Sequence, residues 1–407
     1  MPAGMIGGGG SHVGLGPDLR QMGGACPAIC KWAKCHPSRL PCREVAPIMP
    51  HPLRILGCLF LSIAAPQIAQ ASQGLERIPP AYSVVEGTEL LVQNMPRVRN
   101  QGAMGICYAF TVQALIDHAR CTIQKIENCS TAEPLSPLDI SRFSLELGPD
   151  VDQTDRFNYE GLKPDAGGAL AFTLLNTLKT GSIILDKCAP YENMLINSDS
   201  FEQVLLAHQQ FLKEINTLYK SVRKGEKSIP EAAQTLDADS RILATHSDIK
   251  DALEQETYDL FLDRLLIPSK CWEYKNASSL PGSLDIDIWP KEDSNIKTLS
   301  GPQKYEHGLA LIKDLLKKNT PVGVAYCGEP SLKAKSMKSC GNFGHTVVIT
   351  GYRRTCSAKE CRDSFKVHNS WGEAWQRDND DGWINARTLL DRSFYADHML
   401  TWLKQEE

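Results

Sequence analysis

Apolar side chains recur at three- and four-residue steps along two stretches, the spacing that places them on one face of a helix. One stretch begins at Cys107 and the other covers 201–222. Further helices are predicted over 169–183, 247–266 and 305–318. Short β-branched runs separated by turn residues predict strands over 321–326, 346–352, 364–368 and 382–384, after an early strand-like run over 84–92. The pattern therefore predicts a mostly helical first part and a strand-rich last part.

The helix that begins at Cys107 follows Gly102 and Gly105, which indicate a tight, irregular turn. A cysteine in a first helical turn lies near unpaired backbone N–H groups and the positive end of the helix dipole, which stabilise a thiolate. A thiolate nucleophile also needs a base and a group that orients the base. His345 directly precedes one predicted strand, and Asn369 directly follows another. Two neighbouring strands would place these two side chains side by side.

Four motifs in this order resemble those of the papain-like cysteine peptidases, which include the cathepsins. They are Gln101 six residues before Cys107 with Tyr-Ala-Phe after it, Gly167-Gly168 ahead of a helix with Pro190-Tyr191 beyond, Gly344-His345 ahead of a strand, and Asn369-Ser370-Trp371-Gly372 with Trp375 and Gly382-Trp383 beyond. Each motif alone is weak, but their joint occurrence across about 300 residues is specific.

The resemblance implies an α+β fold in two parts. A helical half would carry Cys107, and an antiparallel, β-barrel-like half would carry His345 and Asn369, with the active-site cleft between them. The implied activity is hydrolysis of peptide bonds, in which Cys107 attacks, His345 transfers protons and Asn369 orients the imidazole. The Gln101 side chain and the Cys107 backbone N–H would bind the developing oxyanion.

Substrate contacts are implied for Gly167, Gly168 and Trp371. The glycines would pair their backbone with an extended substrate, as an added strand does, although two glycines also mark simple turns. The Trp371 ring would in addition shield the hydrogen bond between His345 and Asn369 from water. The resemblance implies no cofactor and no metal. Protein or peptide substrates and protein inhibitors are the expected partners.

The first 71 residues are predicted to lie outside the catalytic fold. Residues 1–48 are rich in Gly, Pro and Cys, show no helical or strand period, and are expected to be an unstructured or upstream segment. Residues 49–71 have the order of a secretory signal peptide, in which positive residues precede an apolar run and Ala-Gln-Ala ends at the cleavage point. The apolar run is too short to span a membrane. We therefore expect a secreted protein, in an extracellular, periplasmic or lysosome-like compartment, with no membrane attachment after cleavage.

Three segments make up the predicted mature chain. Residues 72–195 would hold an N-terminal strand and the helical half, 196–302 an inserted helical hairpin with a polar linker, and 303–407 the β-rich half. The insertion is either a stabilising elaboration or a lid or binding segment over the cleft, and His208 within it is expected at an interface. Little room remains before Cys107 for the inhibitory propeptide that relatives commonly carry.

Nine cysteines follow the predicted cleavage point. With Cys107 set aside as the nucleophile, eight remain for four disulfides in an oxidising compartment. A zinc site is disfavoured because this region has no Cys-x-x-Cys pair and its spacings do not repeat. Papain-like peptidases usually carry a cysteine where this chain has Met104, so that family disulfide is expected to be absent. The expected pairs are Cys121 with Cys129, Cys327 with Cys340, Cys356 with Cys361, and Cys188 with Cys271.

The amino-acid composition excludes fewer classes of function than the motifs do. The 407 residues carry a formal net charge of −4 and no long basic run, which argues against nucleic acid as a partner. Three hypotheses follow. The complete Gln-Cys-His-Asn set favours a secreted cysteine endopeptidase. The alternatives are the same fold catalysing another acyl transfer or amide hydrolysis on a non-peptide substrate, and a catalytically silent binding protein.

Overall fold

The computed structural model describes residues 75–144, 168–272, 277–291, 298–328, 344–394 and 400–405. The predicted upstream segment 1–48, the predicted signal peptide 49–71 and Gly167 lie outside these residues. Within the described part of the chain, no helix has both the length and the apolar character needed to cross a membrane.

Three helices form the centre of the helical half: α1 (Cys107–Ile123), α2 (Pro137–Ser141) and α3 (Leu170–Thr180). Helix α1 is buried on nearly every side over its first four turns, as a central core helix requires. Helix α2 begins as the sequence predicts, because the Ser136 hydroxyl accepts the Asp139 N–H and Pro137 occupies the first position. Helix α3 ends at Thr180 and is followed by Gly181, whose φ of 75° is the left-handed conformation that glycine adopts easily.

The described residues from 201 to 272 form five helices, where the sequence predicts a hairpin of two. They are α4 (Phe201–Arg223), α5 (Ile229–Asp237), α6 (His246–Glu254), α7 (Tyr258–Leu266) and α8 (Ser269–Trp272). Helix α4 matches its prediction, but the predicted second helix is divided. Its division has a local cause, because the Thr257 hydroxyl accepts the Leu260 N–H and starts α7 as a new helix. Ser228 and Glu231 likewise form a capping box that starts the unpredicted α5.

The insertion shares one hydrophobic core with the central helices. Phe211 and Ile215 of α4 and Phe261 of α7 belong to the same buried cluster as Phe110 and Leu115 of α1. A buried ionic contact adds to this packing. The Arg142 guanidinium lies 3.3 Å from the Asp139 carboxylate and 3.1 Å from that of Asp263 on α7, while burial raises the pKa of Asp263 to about 6. The insertion is therefore part of the helical half's core.

Three of the four expected disulfides are confirmed: Cys121–Cys129, Cys188–Cys271 and Cys356–Cys361. The partner expected for Cys327, Cys340, lies outside the described residues, although Cys327 itself is disulfide-bonded. The Cys188–Cys271 bond joins positions 83 residues apart and so closes helices α4 to α7 of the insertion into a loop.

Removing the Cys188–Cys271 bond is expected to destabilise the protein more than removing Cys356–Cys361. Loop-closure entropy predicts about 4.5 kcal/mol for the 83-residue separation and about 2 kcal/mol for the 5-residue separation. Denaturant unfolding of the two paired Cys→Ala variants, without reductant, measures both values. An equal or larger loss for the short loop would contradict the entropic account.

The second half contains an antiparallel sheet. Its strands in the described residues are β1 (Ser83–Val84), β2 (Leu90–Leu91), β5 (Leu284–Trp289), β6 (Val322–Cys327), β7 (Gly344–Cys356), β8 (Cys361–His368), β9 (Trp383–Asn385) and β10 (Leu400–Gln405). Their order in the sheet is β5-β10-β6-β7-β8-β9, and β1 and β2 also pair with β7. A separate pair consists of β3 (Ser182–Ile184) and β4 (Ala277–Ser279). Among the described residues, the helices of this half are α9 (Gly301–Lys317), α10 (Gly372–Asp378) and α11 (Ala386–Phe394). A second buried cluster lies between these helices and the sheet. The predicted α+β, two-part fold is confirmed.

The polar stretch 272–302 is not only the linker that the sequence predicts, because it contains β4 and β5. Strand β5 pairs with β10 over six residue positions and so extends the main sheet. Its sequence, Leu-Asp-Ile-Asp-Ile-Trp, alternates apolar with acidic residues, which is the period of a half-buried strand. The polar composition around it hides this short pattern.

Candidate active site

The first turn of α1 faces the start of β7. Cys107 is the first residue of α1, and Ile106 before it contributes no side-chain cap. Thr111 follows one turn later on the same face. Its hydroxyl oxygen lies 2.9 Å from that of Thr346, the residue after His345. This hydrogen bond holds the helix end that carries Cys107 against the strand end that carries His345.

His345 and Asn369 are side by side, as the sequence predicts. The His345 Nε2 lies 2.9 Å from the Asn369 Oδ1, and both side chains are buried. The amide oxygen can only accept, so Nε2 carries the proton and Nδ1 is the acceptor of the neutral ring. Burial lowers the pKa of His345 to about 4, although the bond to Asn369 acts in the opposite direction. The imidazole is therefore neutral near pH 7 unless a negative charge forms beside it.

The Trp371 ring covers this pair. It stacks on the His345 ring with centroids 4.4 Å apart, and it contacts Phe201 and Trp375 at 5.6 Å each. The side chain is only 2% exposed. The predicted shielding of the hydrogen bond fits this position. The substrate contact of Trp371 stays a prediction.

Gln101 is held against the Asn-Ser-Trp-Gly motif by a short backbone ladder. The Gln101 N–H donates to the Ser370 carbonyl at 2.8 Å, and the Gly372 N–H donates to the Arg99 carbonyl at 3.0 Å. The Ser370 hydroxyl also donates to Gln101 Oε1 at 2.6 Å. Gln101 Nε2 donates one hydrogen to the Met104 carbonyl at 2.9 Å. An amide nitrogen has two hydrogens, so the second is the candidate oxyanion donor.

Gly168 has a packing reason to be glycine. A Cβ atom there would lie 2.6 Å from the Ser144 Cβ and 2.7 Å from the Tyr108 ring, closer than real contacts allow. This close approach places Gly168 beside the residue that follows Cys107. Its pairing with substrate remains a prediction, and Gly167 lies outside the described residues.

Cys107 is disulfide-bonded in this structure. The sequence analysis left this cysteine unpaired, so the structure shows an oxidised form, and the role of Cys107 as nucleophile stays a prediction. The thiolate is the nucleophilic form of cysteine, so reduction has to precede any attack by Cys107.

Two further side chains at the site were not predicted as such. The Tyr191 hydroxyl donates a short hydrogen bond to the Gln101 carbonyl, and the Ala103 N–H donates to His208 Nδ1 at 3.0 Å. The Pro-Tyr motif drew attention to Tyr191 without indicating its partner. The apolar face of α4 predicts burial of His208 but not its contact, because that contact depends on how the insertion docks.

Replacing Asn369 with alanine is expected to lower kcat/KM for an acyl substrate by about 10- to 100-fold, because a freely rotating imidazole loses part of the proton-transfer advantage. Steady-state kinetics measures the loss. The matched control is Asn385→Ala on β9, which removes a partly buried amide bonded to Glu76 at 2.9 Å. An Asn369→Ala variant as active as Asn385→Ala would contradict the orienting role.

No protein-family profile matches the sequence. No curated protein matches it either. Among solved structures, the chain is similar to xylellain, a cysteine protease from Xylella fastidiosa (14% identity, TM-score 0.39, covering 82% of this chain and 97% of that one). It is also similar to procathepsin L2 from Tenebrio molitor (16%, 0.36, 80% and 68%) and to the SERA5 proenzyme from Plasmodium falciparum (13%, 0.39, 76% and 62%).

The chain's own arrangement defines the class. A helical half that begins its central helix at Cys107 meets an antiparallel half that pairs His345 with Asn369, and Thr111 and Thr346 join the two. This is the α+β, two-part fold that the sequence motifs imply.

Proposed function

We propose that the chain is a cysteine peptidase that hydrolyses peptide bonds through Cys107, His345 and Asn369. The observation that carries the proposal is the His345–Asn369 hydrogen bond beneath Trp371, at the strand end that faces the first turn of α1. A base with a fixed tautomer beside a cysteine at a helix N-terminus is the arrangement needed for thiolate attack.

Proton transfer from Cys107 to His345 would form the thiolate and the imidazolium at the same time. A buried imidazolium is costly, and burial alone lowers the pKa of His345 to about 4. The Cys107 thiolate supplies the negative charge that makes the imidazolium favourable. The thiolate then attacks the peptide carbonyl, and His345 gives its proton to the leaving amine. Neutral His345 next takes a proton from water, whose oxygen attacks the thioester and releases the acid.

The oxyanion formed in each attack would be bound by the second Gln101 Nε2 hydrogen and the Cys107 backbone N–H. Two contacts support this part of the proposal, since the bonds from Gln101 to Ser370 and Met104 fix the orientation of the amide before substrate arrives. Donors fixed in advance stabilise developing charge without reorganising during the reaction.

Export is part of the proposal. Three disulfides in the described residues support an oxidising compartment. The predicted signal peptide over 49–71 supports the same conclusion. The compartment would be extracellular, periplasmic or lysosome-like.

A mixed fluorogenic peptide library tests the proposed function. The protein is assayed before and after mild reduction that leaves the three described disulfides intact, as checked by mass. Cleavage is expected only after reduction, because reduction frees Cys107. If Cys107 becomes reactive to alkylation but no peptide is cut, the peptidase proposal is wrong and a non-peptide acyl substrate is favoured. A folded, reduced protein with unreactive Cys107 would indicate a silent binding protein.

A further inference from the structure

The loop before Cys107 is held from both sides by residues outside the catalytic set. On one side the Tyr191 hydroxyl donates to the Gln101 carbonyl, and on the other the His208 Nδ1 accepts the Ala103 N–H at 3.0 Å. The two rings also meet edge to face, with centroids 5.9 Å apart. Both neighbours of Gly102 are therefore fixed, and one of the two anchors comes from the insertion.

The glycine at position 102 shows how closely the His208 ring approaches the backbone of this loop. A Cβ atom at Gly102 would lie 2.2 Å from His208 Nδ1, and the residue has a φ of 53°. Both the space and the backbone conformation thus require glycine here. Met104, two residues later, has no thiol with which to tie this loop covalently.

The His208 imidazole is suited to accept a hydrogen bond. Burial, with the nearby Arg241 charge, lowers its pKa to about 4, so the ring is neutral near pH 7. The groups that face it are the Tyr191 ring, the Phe211 ring and the Arg241 guanidinium that lies over Phe211. With Nδ1 accepting, Nε2 carries the proton, and that buried atom has no hydrogen-bond partner among the described residues. A buried donor without a partner is unfavourable, and an apolar side chain would avoid it. The feature that favours histidine at this position is therefore the acceptor nitrogen Nδ1.

We propose that His208 is a positioning residue for the oxyanion-binding loop 101–103, and that the insertion thereby sets the rate of acyl transfer. The inference rests on the proposed function. His208 does not touch the reacting atoms. It fixes the Ala103 N–H, which fixes the path of the chain between Gln101 and Cys107. A displacement of about 1 Å in such a group can cost about 10²-fold in rate.

Helix α4 also contacts the aromatic residues beside the His345–Asn369 pair. Phe201, its first residue, lies 5.6 Å from the Trp371 ring that covers His345. Phe201 and His208 are seven residues apart, two helical turns, and therefore share one face of α4. A single rigid helix thus contacts both the loop that carries Gln101 and the tryptophan over the His345–Asn369 pair.

The test replaces His208 with leucine and with asparagine. Asparagine keeps an acceptor oxygen on the same γ-carbon as Nδ1, whereas leucine keeps only the bulk. We expect His208→Leu to lower kcat for peptide hydrolysis by about 10- to 100-fold with KM within about twofold. His208→Asn is expected to restore kcat to within about threefold. Alkylation of Cys107 by iodoacetamide forms no oxyanion, so its rate is expected to stay within about twofold in both variants.

Ile215→Ala on the same helix is the matched control, because it truncates a buried core side chain without touching the loop. Its thermal stability is compared with that of His208→Leu. An equal loss of kcat in the two variants would overturn the proposal, as would a parallel fall of hydrolysis and alkylation in His208→Leu, since either outcome indicates a merely structural role.

Hydrogen exchange of the Ala103 amide separates this proposal from the proposed function. Exchange is expected to be slow in the wild-type protein and in His208→Asn, and at least about tenfold faster in His208→Leu. If no peptide is cut but this pattern appears, the peptidase proposal fails while the positioning contact stands. Equal exchange rates in all three proteins would overturn the positioning contact, whatever the activity.

Discussion

Replacing Cys107 with alanine is expected to abolish peptide hydrolysis, lowering kcat/KM by at least about 10⁴-fold. The reason is that no other residue can form the thioester intermediate. Cys107 is fully buried at the first position of α1, and alanine is smaller and favourable in a helix. The variant is therefore expected to fold.

The control for this experiment is the paired Cys356→Ala, Cys361→Ala variant. It also removes sulfur atoms, but from the turn between β7 and β8. Its kcat/KM is expected to stay within about twofold of the wild-type value. Residual hydrolysis by Cys107→Ala above about 1% of the wild-type rate, in protein free of contaminating peptidase, would exclude Cys107 as the nucleophile.

Replacing His345 with alanine is expected to lower kcat/KM by about 10³- to 10⁴-fold, because both attack and deacylation lose their proton-transfer group. Unlike Cys107→Ala, this variant keeps the sulfur. Thiols without a charged partner ionise near pH 8.5. The Cys107 alkylation rate in His345→Ala is therefore expected to fall steeply between pH 9 and pH 6, whereas the wild-type rate stays high over this range.

The pKa of the His345 imidazole provides a second test of the proposed ion pair between Cys107 and His345. In Cys107→Ala no thiolate can form, so burial is expected to hold the pKa of His345 at about 4. In the reduced wild-type protein the thiolate is expected to raise the pKa of His345. Nuclear magnetic resonance of the ring nitrogens measures both. The same pKa in the two proteins, or a pH-independent difference in alkylation between wild type and His345→Ala, would contradict the ion pair.

Local signals in the sequence predict much of this fold. The cap of α2 follows from Ser136 and Pro137, because a hydroxyl and a fixed φ satisfy the first helical turn without tertiary help. The pairs Cys121–Cys129 and Cys356–Cys361 follow from short loops, and Cys188 with Cys271 then remains as the long-range pair. The neighbouring positions of His345 and Asn369 follow from two adjacent strands and the matched motifs.

The features that sequence misses depend on contacts between distant segments. Strand β5 is only six residues long, and its pairing with β10 decides its state. The His208–Ala103 bond joins residues 105 positions apart, and no local pattern encodes it. The bonded state of Cys107 is likewise a property of the redox form, which no local sequence pattern encodes.

The measurement that tests the central claim most directly is covalent labelling. The mildly reduced protein is treated with a peptidyl epoxide at pH 6 and then digested, and the modified residue is located by mass spectrometry. A single adduct on Cys107, absent from His345→Ala under the same conditions, is the result that a thiolate–imidazolium pair predicts. An adduct distributed over other cysteines, or no adduct in protein shown to be folded and reduced, would contradict it.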